Sequence, residues 1–317
     1  MAALFIFANT WLHVLPHPLT RILAWVSGLW MGFLYYGFLS LPFFLLAVIG
    51  AYCGGFFAWP EKAAQFLFVL DMALVLVGLL RALFPRVRKI TLQTDKKIAH
   101  SYTLAFASDI HFGGLFGKWH ARRFVRWLNA QHPDVVLVGG DIVDGDLLFV
   151  QQEKTFEVLQ DIVARNGIYA VYGNHDKRRG TGLLEKYLLE QEGIHFLVDE
   201  TCQLTPEITL TGMDDYLFGE RKAEITPEVG KYNIFMEHEP QRIQQAAEKG
   251  YDLYLAGHTH AGQLFPNRIF TKHLFALDYG QKRFGPLMAI VSSGWGLWGV
   301  PLRIGPRSEL VVVHLLP

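Results

Sequence analysis

Charge is what the front of this chain lacks. Residues 22–60 contain no Asp, Glu, Lys or Arg, and from 63 to 84 only Asp71 and Arg81 interrupt an apolar run. An ordinary soluble domain does not leave stretches of that length bare. Cysteine is scarce as well. Cys53 lies in the apolar region and Cys202 far downstream, so the two cannot meet if one sits in lipid, and no disulfide framework is implied. That suits a reducing compartment. Net charge is missing too, with 29 basic residues against 29 acidic. The basic residues gather into neither an arm nor a long stripe, which sets nucleic acid aside as a partner. The N-terminus has no basic n-region and no small-residue cleavage site, the marks of a signal peptide. Residues 2–15 are apolar but shorter than the roughly 20 a membrane span needs, and read as a partial or re-entrant segment.

What is present is uneven. Hydrophobic residues make up 51% of the 317 and charged residues 18%, and the apolar excess falls at the front. Residues 1–89 read as a membrane-anchor region with spans at about 22–51 and 64–84, separated by the turn signals Gly54-Gly55 and Trp59-Pro60. Arg86, Arg88, Lys89, Lys96 and Lys97 follow the second span, opposed only by Asp95, whereas the loop between the spans carries one Glu61 and one Lys62. The basic side is cytoplasmic by the positive-inside rule, so the rest of the chain is expected on the cytoplasmic face of an inner membrane. Arg21, ahead of the first span, fits the same orientation. Asp71, about two turns into the second span, reads more readily as a helix–helix contact than as a functional acid.

From residue 102 the pattern changes. Short apolar runs at 104–107, 135–138 and 168–172 read as buried strands, with amphipathic helices predicted over 118–131 and 153–165. Strand, helix, strand, helix, strand argues a βαβ-type sheet whose loops meet at the carboxyl ends of the strands. Later runs at 208–211, 232–236, 253–255, 288–291 and 310–315 are more closely spaced and suggest a mixed two-sheet sandwich over residues 90–317.

The strand ends carry the chemistry. The first gives Asp109-Ile110-His111, the second Gly140-Asp141 with Asp144, and the third Gly173-Asn174-His175-Asp176; farther on come Glu237-His238-Glu239 and His258-Thr259-His260. Carboxylate, imidazole and amide oxygen together suit borderline divalent metals such as Mn, Fe, Zn or Co, and no thiolate is on offer for a structural zinc site. In Asp109-x-His111 and His258-x-His260 the i, i+2 spacing aims both side chains one way from an extended segment. Asp141 could bridge two ions about 3.5–4 Å apart, the separation used for in-line displacement at phosphorus. Any one of these pieces is more often structure than ligand; five of them at five strand ends are hard to assemble by accident.

This ordered set, Asp109-x-His111, Gly140-Asp141-x-x-Asp144, Gly173-Asn174-His175-Asp176, His238 and Gly257-His258-x-His260, resembles the calcineurin-like metallophosphoesterase superfamily, over essentially all of residues 100–317. With the hydrophobic N-terminus it is most similar to the membrane-anchored bacterial members. The resemblance implies an α/β fold, a four-layer α/β/β/α sandwich preceded by transmembrane helices. It implies that Asp109, His111, Asp141 and His260 hold one divalent ion and Asp141, Asn174, His238 and His258 the other. It makes His175 the catalytic residue that faces the phosphate and serves the leaving oxygen. Asp144 either orients a ligand from behind or caps a turn.

The expected substrate is a phosphodiester or pyrophosphate, and a membrane phospholipid or nucleotide-lipid such as UDP-2,3-diacylglucosamine is the narrower alternative. A metal-binding membrane sensor or scaffold without turnover is the other class. Nothing points to an obligate protein partner. Lys177, Arg178 and Arg179 follow the third motif closely enough to clamp a phosphate, as an alternative to a solvated basic loop. The basic, Trp-containing helix at 118–131 reads as an ordinary surface helix rather than a headgroup-docking one. Residues 264–286, rich in Phe and Tyr, divide evenly between an apolar lid for a lipid-like substrate and core packing.

Overall fold

The computed structural model describes residues 14–55, 58–144, 146–177, 182–219 and 226–317. The segment 2–15 therefore lies almost wholly outside the described residues, as do Arg178 and Arg179.

Two long apolar helices come first, α1 (His17–Gly54) and α2 (Trp59–Leu83). The first apolar stretch yields a single helix. It stops at Gly55, whose φ of 75° suits a residue without a Cβ and whose N–H bonds the Ala51 carbonyl. Asp71 is buried between the two helices and accepts a hydrogen bond from Ser40 Oγ at 3.0 Å.

Two six-stranded mixed sheets follow. The first has the order β1-β12-β2-β3-β4-β5, formed by β1 (Arg86–Gln93), β2 (Tyr102–Ala107), β3 (Val135–Gly139), β4 (Ile168–Val171), β5 (Ile194–Phe196) and β12 (Glu309–Leu316). The second has the order β10-β11-β9-β8-β7-β6, formed by β6 (Glu200–Thr205), β7 (Ile208–Gly212), β8 (Tyr232–Met236), β9 (Leu253–Ala256), β10 (Gly280–Phe284) and β11 (Leu287–Val291). In the first sheet β2 through β5 pair in parallel and β12 runs antiparallel to β2. In the second, β7, β8, β9 and β11 are parallel and β6 and β10 form antiparallel edges.

Strand alternation explains the layers. Leu104, Phe106, Leu137, Val311 and Val313 point from the first sheet into one core with Leu210, Ile234, Met236 and Leu255 from the second. Ala105, Val136, Val138 and Val312 point the other way, onto α3 (Lys118–Asn129) and its neighbours. Phe235, Tyr254 and Ala289 cover the outer face of the second sheet with Ile243 and Ala246 of α7 (Ile243–Lys249). The result is four layers, helix, sheet, sheet, helix.

The helix expected over 153–165 does not form. Asp146 caps a shorter helix, α4 (Leu147–Gln152), by accepting the Phe149 N–H at 3.2 Å. Lys154 then turns the chain with φ 56°, and only a 3-10 helix (Phe156–Asp161) follows, leaving Val163 exposed. The basic flank read after the second span is also strand: Arg86, Arg88 and Lys89 lie in β1, and Arg88 meets the buried Glu309 of β12 at 3.1 Å.

The two apolar helices are seated on the two-sheet domain through a strap at residues 299–304. A Cβ at Gly32 would lie 2.2 Å from Leu302 Cδ1, and one at Gly78 3.2 Å from Leu302 Cβ, so both glycines permit the close approach. The Gly78 carbonyl accepts the Arg303 N–H at 2.9 Å.

Candidate metal centre

The loops leaving β2, β3, β4, β8 and β9 converge where the carboxyl ends of parallel strands face one another. Asp109, His111, Asp141, His238 and His260 are buried there. Nε2 of His111 and Nε2 of His260 are 3.1 Å apart, and Asp109 Oδ1 is 3.3 Å from the same His260 nitrogen. On the other side Asp141 Oδ2 lies 3.2 Å from His238 Nε2, and His258 Nδ1 faces both Asn174 Oδ1 at 3.0 Å and His238 Nε2 at 3.3 Å. Asp109, His111 and His260 offer donor atoms that lie together, and so do Asp109, Asp141 and His238. All seven residues the sequence singled out as ligands thus come together in one place.

The local backbone achieves this differently from the expected extended segments. Asp109, His111 and Asp141 each have φ 52°, His258 has 69° and His260 47°. These non-glycine residues occupy the left-handed region, where each costs on the order of 1–3 kcal/mol unless its surroundings hold it. The holding contacts are visible. Asp109 N–H bonds the Gly140 carbonyl at 2.9 Å and His111 N–H the Asp141 carbonyl at 3.0 Å. The Asp109 carboxylate accepts the His258 N–H at 3.0 Å. Asn174 and His175 likewise are not in an extended segment but open a helical turn, α5 (Asn174–Lys177), which aims their side chains apart.

The donors suit divalent ions on chemical grounds. His238 donates Nδ1–H to the Gly139 carbonyl at 2.7 Å, which turns Nε2 toward Asp141. Burial holds the His111 imidazole below its ordinary pKa and that of His260 well below; burial and the charge on His238 push His258 down to about 3. Neutral imidazoles keep a lone pair for a cation. Burial raises Asp109. For Asp141 burial works the same way, but His238 and His111 together outweigh it and hold the carboxyl well below the usual range. For His238 burial opposes protonation, and Asp141 and Asp109 outweigh it, so its pKa is well above the ordinary value. Two carboxylates in a buried pocket call for positive charge, which a divalent ion brings.

His175 stands beside this set, with Nδ1 3.2 Å from Asp144 Oδ1 and its ring centroid 5.0 Å from that of His111. Burial lowers its pKa, but the Asp144 hydrogen bond and the charges of Asp141 and Asp144 raise it further, for a net rise. Asp144, expected either to orient a ligand or to cap a turn, makes its short contact to His175, and its Oδ1 lies 4.0 Å from Nδ1 of the ligand His111. Lys177 points elsewhere: its Nζ pairs with Asp214 and sits 4.8 Å from the Tyr172 ring centroid.

Other residues matter that the sequence did not assign. The Asp176 carboxylate accepts the N–H groups of Asp141 and Gly173 at 2.8 Å, Ile142 at 2.9 Å and Val143 at 3.2 Å, tying the second and third motif loops together. Burial and Asp141 push its pKa up to about 6. Arg303, fully buried, donates to the His260 and Gly296 carbonyls at 3.0 and 3.1 Å, to the Ser293 carbonyl and to Ser308 Oγ, bracing the His260 loop. A buried arginine leaves no periodic signal.

Comparison with known proteins meets this geometry directly. Residues 102–262 match the family model for calcineurin-like phosphoesterases. The chain belongs to that family. Its Asp/His clusters fit the two-metal site typical of the family. An uncharacterized metallophosphoesterase of Aquifex aeolicus is 30% identical over 248 residues, covering 74% of this chain and 94% of that one. One from Helicobacter pylori (strain J99) is 30% identical over 245 residues, covering 74% and 64%. A transmembrane protein with metallophosphoesterase domain from Danio rerio is 30% identical over 272 residues, covering 78% and 61%. The chain thus spans less than two thirds of the length of the latter two relatives.

Proposed function

We propose that this protein is a membrane-anchored, two-metal hydrolase of phosphodiester or pyrophosphate bonds. The observation that carries the reading is the facing pair His111 Nε2 and His260 Nε2, 3.1 Å apart beside Asp109, with Asp141, Asn174, His238 and His258 completing a second donor set. Asp109, His111, Asp141 and His260 would hold one ion and Asp141, Asn174, His238 and His258 the other. Two divalent ions would supply a nucleophile from water near neutral pH and polarise the phosphoryl oxygens.

The chain's own residues do the rest. Water's oxygen bonds phosphorus as the ester P–O bond breaks, and the leaving oxygen takes up a proton. His175 is placed to give it: Asp144 fixes Nδ1, and the ring lines the cavity beside Asn174 and His258. Arg303 and Asp176 hold the ligand loops in position. Turnover of bis-p-nitrophenyl phosphate by Mn-loaded protein, lost to chelator and to Asp141→Asn, is the expected result. Fully metallated protein that cleaves no phosphoester would leave only the sensor or scaffold reading.

The anchor consists of α1 and α2, which are long and apolar enough to cross a membrane. By the positive-inside rule, the basic residues after the second span and Arg21 before the first support a location of residues 90–317 on the cytoplasmic side of an inner membrane. A C-terminal alkaline phosphatase fusion should be inactive and a fluorescent fusion bright; the reverse pair of results inverts the orientation.

A further inference from the structure

The cavity that holds His175, His258 and His260 has a second wall that no phosphate needs. Leu264, Phe270, Trp298 and Val300 line it, and the whole encloses about 650 Å³, a volume in the range of roughly 300–1,000 Å³ that takes a sizeable organic ligand. The apolar wall leads outward. Trp298 is 53% exposed and Phe270 65%.

Phe270 belongs to α8 (Arg268–Leu274), which buries none of its residues. Phe265, Ile269 and Leu274 are also largely exposed. Arg268 and Thr271 bond Asp278 at 2.9 and 3.0 Å, which clips the polar side of α8 to the domain and leaves the apolar side free. Such a cluster on a water-facing surface marks an interaction site.

The neighbouring helix says what meets it. Tyr35 of α1 donates its hydroxyl to Asn267 Oδ1 at 2.8 Å, directly ahead of α8. Gly32 rests on Val300 and Leu302, so the strap under α1 is continuous with the cavity wall. Beyond Tyr36 the only buried residue of α1 is Ala51. Residues 37–54 therefore stand clear of the catalytic domain and rise roughly 27 Å at about 1.5 Å per residue, close to the roughly 30 Å of a bilayer's hydrocarbon core. On the membrane-anchored reading, lipid would begin where α1 leaves the domain, and α8, next to Asn267, lies beside that point.

We infer that the substrate is a lipid phosphoester whose acyl or alkyl chain runs from the bilayer along Phe270 and Trp298 while its phosphoryl group meets the imidazoles, with α8 lying in the interface. The inference rests on the proposed reading of the chain as a membrane-anchored phosphoesterase. A nucleotide base would stack on Trp298 but leave the exposed apolar residues Phe265, Ile269 and Leu274 unused.

Two measurements on the full chain in lipid nanodiscs test it. In the first, Mn-loaded protein is given p-nitrophenyl phosphodiesters bearing ethyl, hexyl or dodecyl chains. The expected kcat/KM rises at least about tenfold from ethyl to dodecyl, because each methylene that leaves water adds favourable transfer free energy. Phe270→Gln and Trp298→Ala should lose most of that rise. A rise that persists undiminished in both variants is partitioning into the bilayer alone and overturns the inference. A flat series with the ethyl ester still cleaved overturns it while leaving the phosphoesterase reading intact. No cleavage of any ester overturns that reading and the inference with it. In the second, metal-free protein is irradiated with a phospholipid carrying a diazirine in its acyl chain. Labels at residues 264–274 and 298–300 are expected; labels confined to α1 and α2 would contradict the lipid route without reference to activity.

Discussion

His111 and His260 present Nε2 to Nε2 at 3.1 Å, with Asp109 Oδ1 3.3 Å from the second nitrogen. Two lone pairs at that distance repel unless a proton or a cation lies between them, and burial holds both imidazoles below their ordinary pKa. A divalent ion should therefore bind tightly and stabilise the fold. Metal at about 100 times its dissociation constant is expected to add about 2.7 kcal/mol to the unfolding free energy. His260→Ala should lose about one equivalent of metal. Calorimetry and metal analysis check this; unchanged stability on metal addition would remove the pair from the site.

Asp144 and His175 form a second coupled pair, Oδ1 to Nδ1 at 3.2 Å. His175→Ala should keep both metals and lose about 10²–10⁴ in rate on esters with poor leaving groups, the contribution of a general acid. The loss should shrink for p-nitrophenolate, which needs little protonation. Asp144→Asn should cost about 10–100-fold, as loss of a supporting carboxylate does. A uniform loss across leaving groups, or a missing metal equivalent in His175→Ala, would make the histidine a ligand instead.

Asp176 accepts four backbone N–H groups from two loops. Asp176→Ala orphans them, and each buried unpaired donor costs roughly 1–3 kcal/mol, so destabilisation of several kcal/mol is expected, together with weaker metal binding. Asp176→Asn should be milder. Denaturant melts with and without metal measure both; a loss under about 1 kcal/mol would show that the loops hold themselves.

Glu185, in α6 (Gly182–Gln191), is buried beside Asp176. Burial, then Asp176, raises its pKa well above 4.5. A carboxyl raised on folding binds its proton more tightly in the native than in the unfolded state. Its stabilising effect is full below about 4.5 and is lost as pH rises toward the folded value. Glu185→Gln should flatten that decline, so the variant gains on the wild type as pH rises above about 4.5. Parallel pH dependences in stability assays of the two proteins would show that Glu185 is not the group responsible.

Much of this was legible in the chain because the relevant signals are local. Apolar runs ending in Asp, Asn or His marked β2, β3, β4, β8 and β9 and the residues that meet beyond them. The absence of charge marked α1 and α2. The misses have physical causes. β1 hid behind Arg86, Arg88 and Lys89, whose charge suggested a membrane flank while their backbone pairs with β12. The 153–165 helix failed because Asp146 starts a helix earlier and Lys154 turns the chain. The left-handed backbone at Asp109, His111, Asp141, His258 and His260 has no sequence signature, since it is held by contacts between loops. Arg303 and Asp176 act through carbonyls and N–H groups distant in sequence, which no periodicity reports.

The most direct test of the central claim is a metal titration of chelated protein, following bound metal and bis-p-nitrophenyl phosphate turnover together. Turnover that appears only as the second equivalent binds, and that Asp141→Asn abolishes along with metal binding, is the expected result. Full turnover at one equivalent, or none with two bound, would contradict a two-metal phosphoesterase.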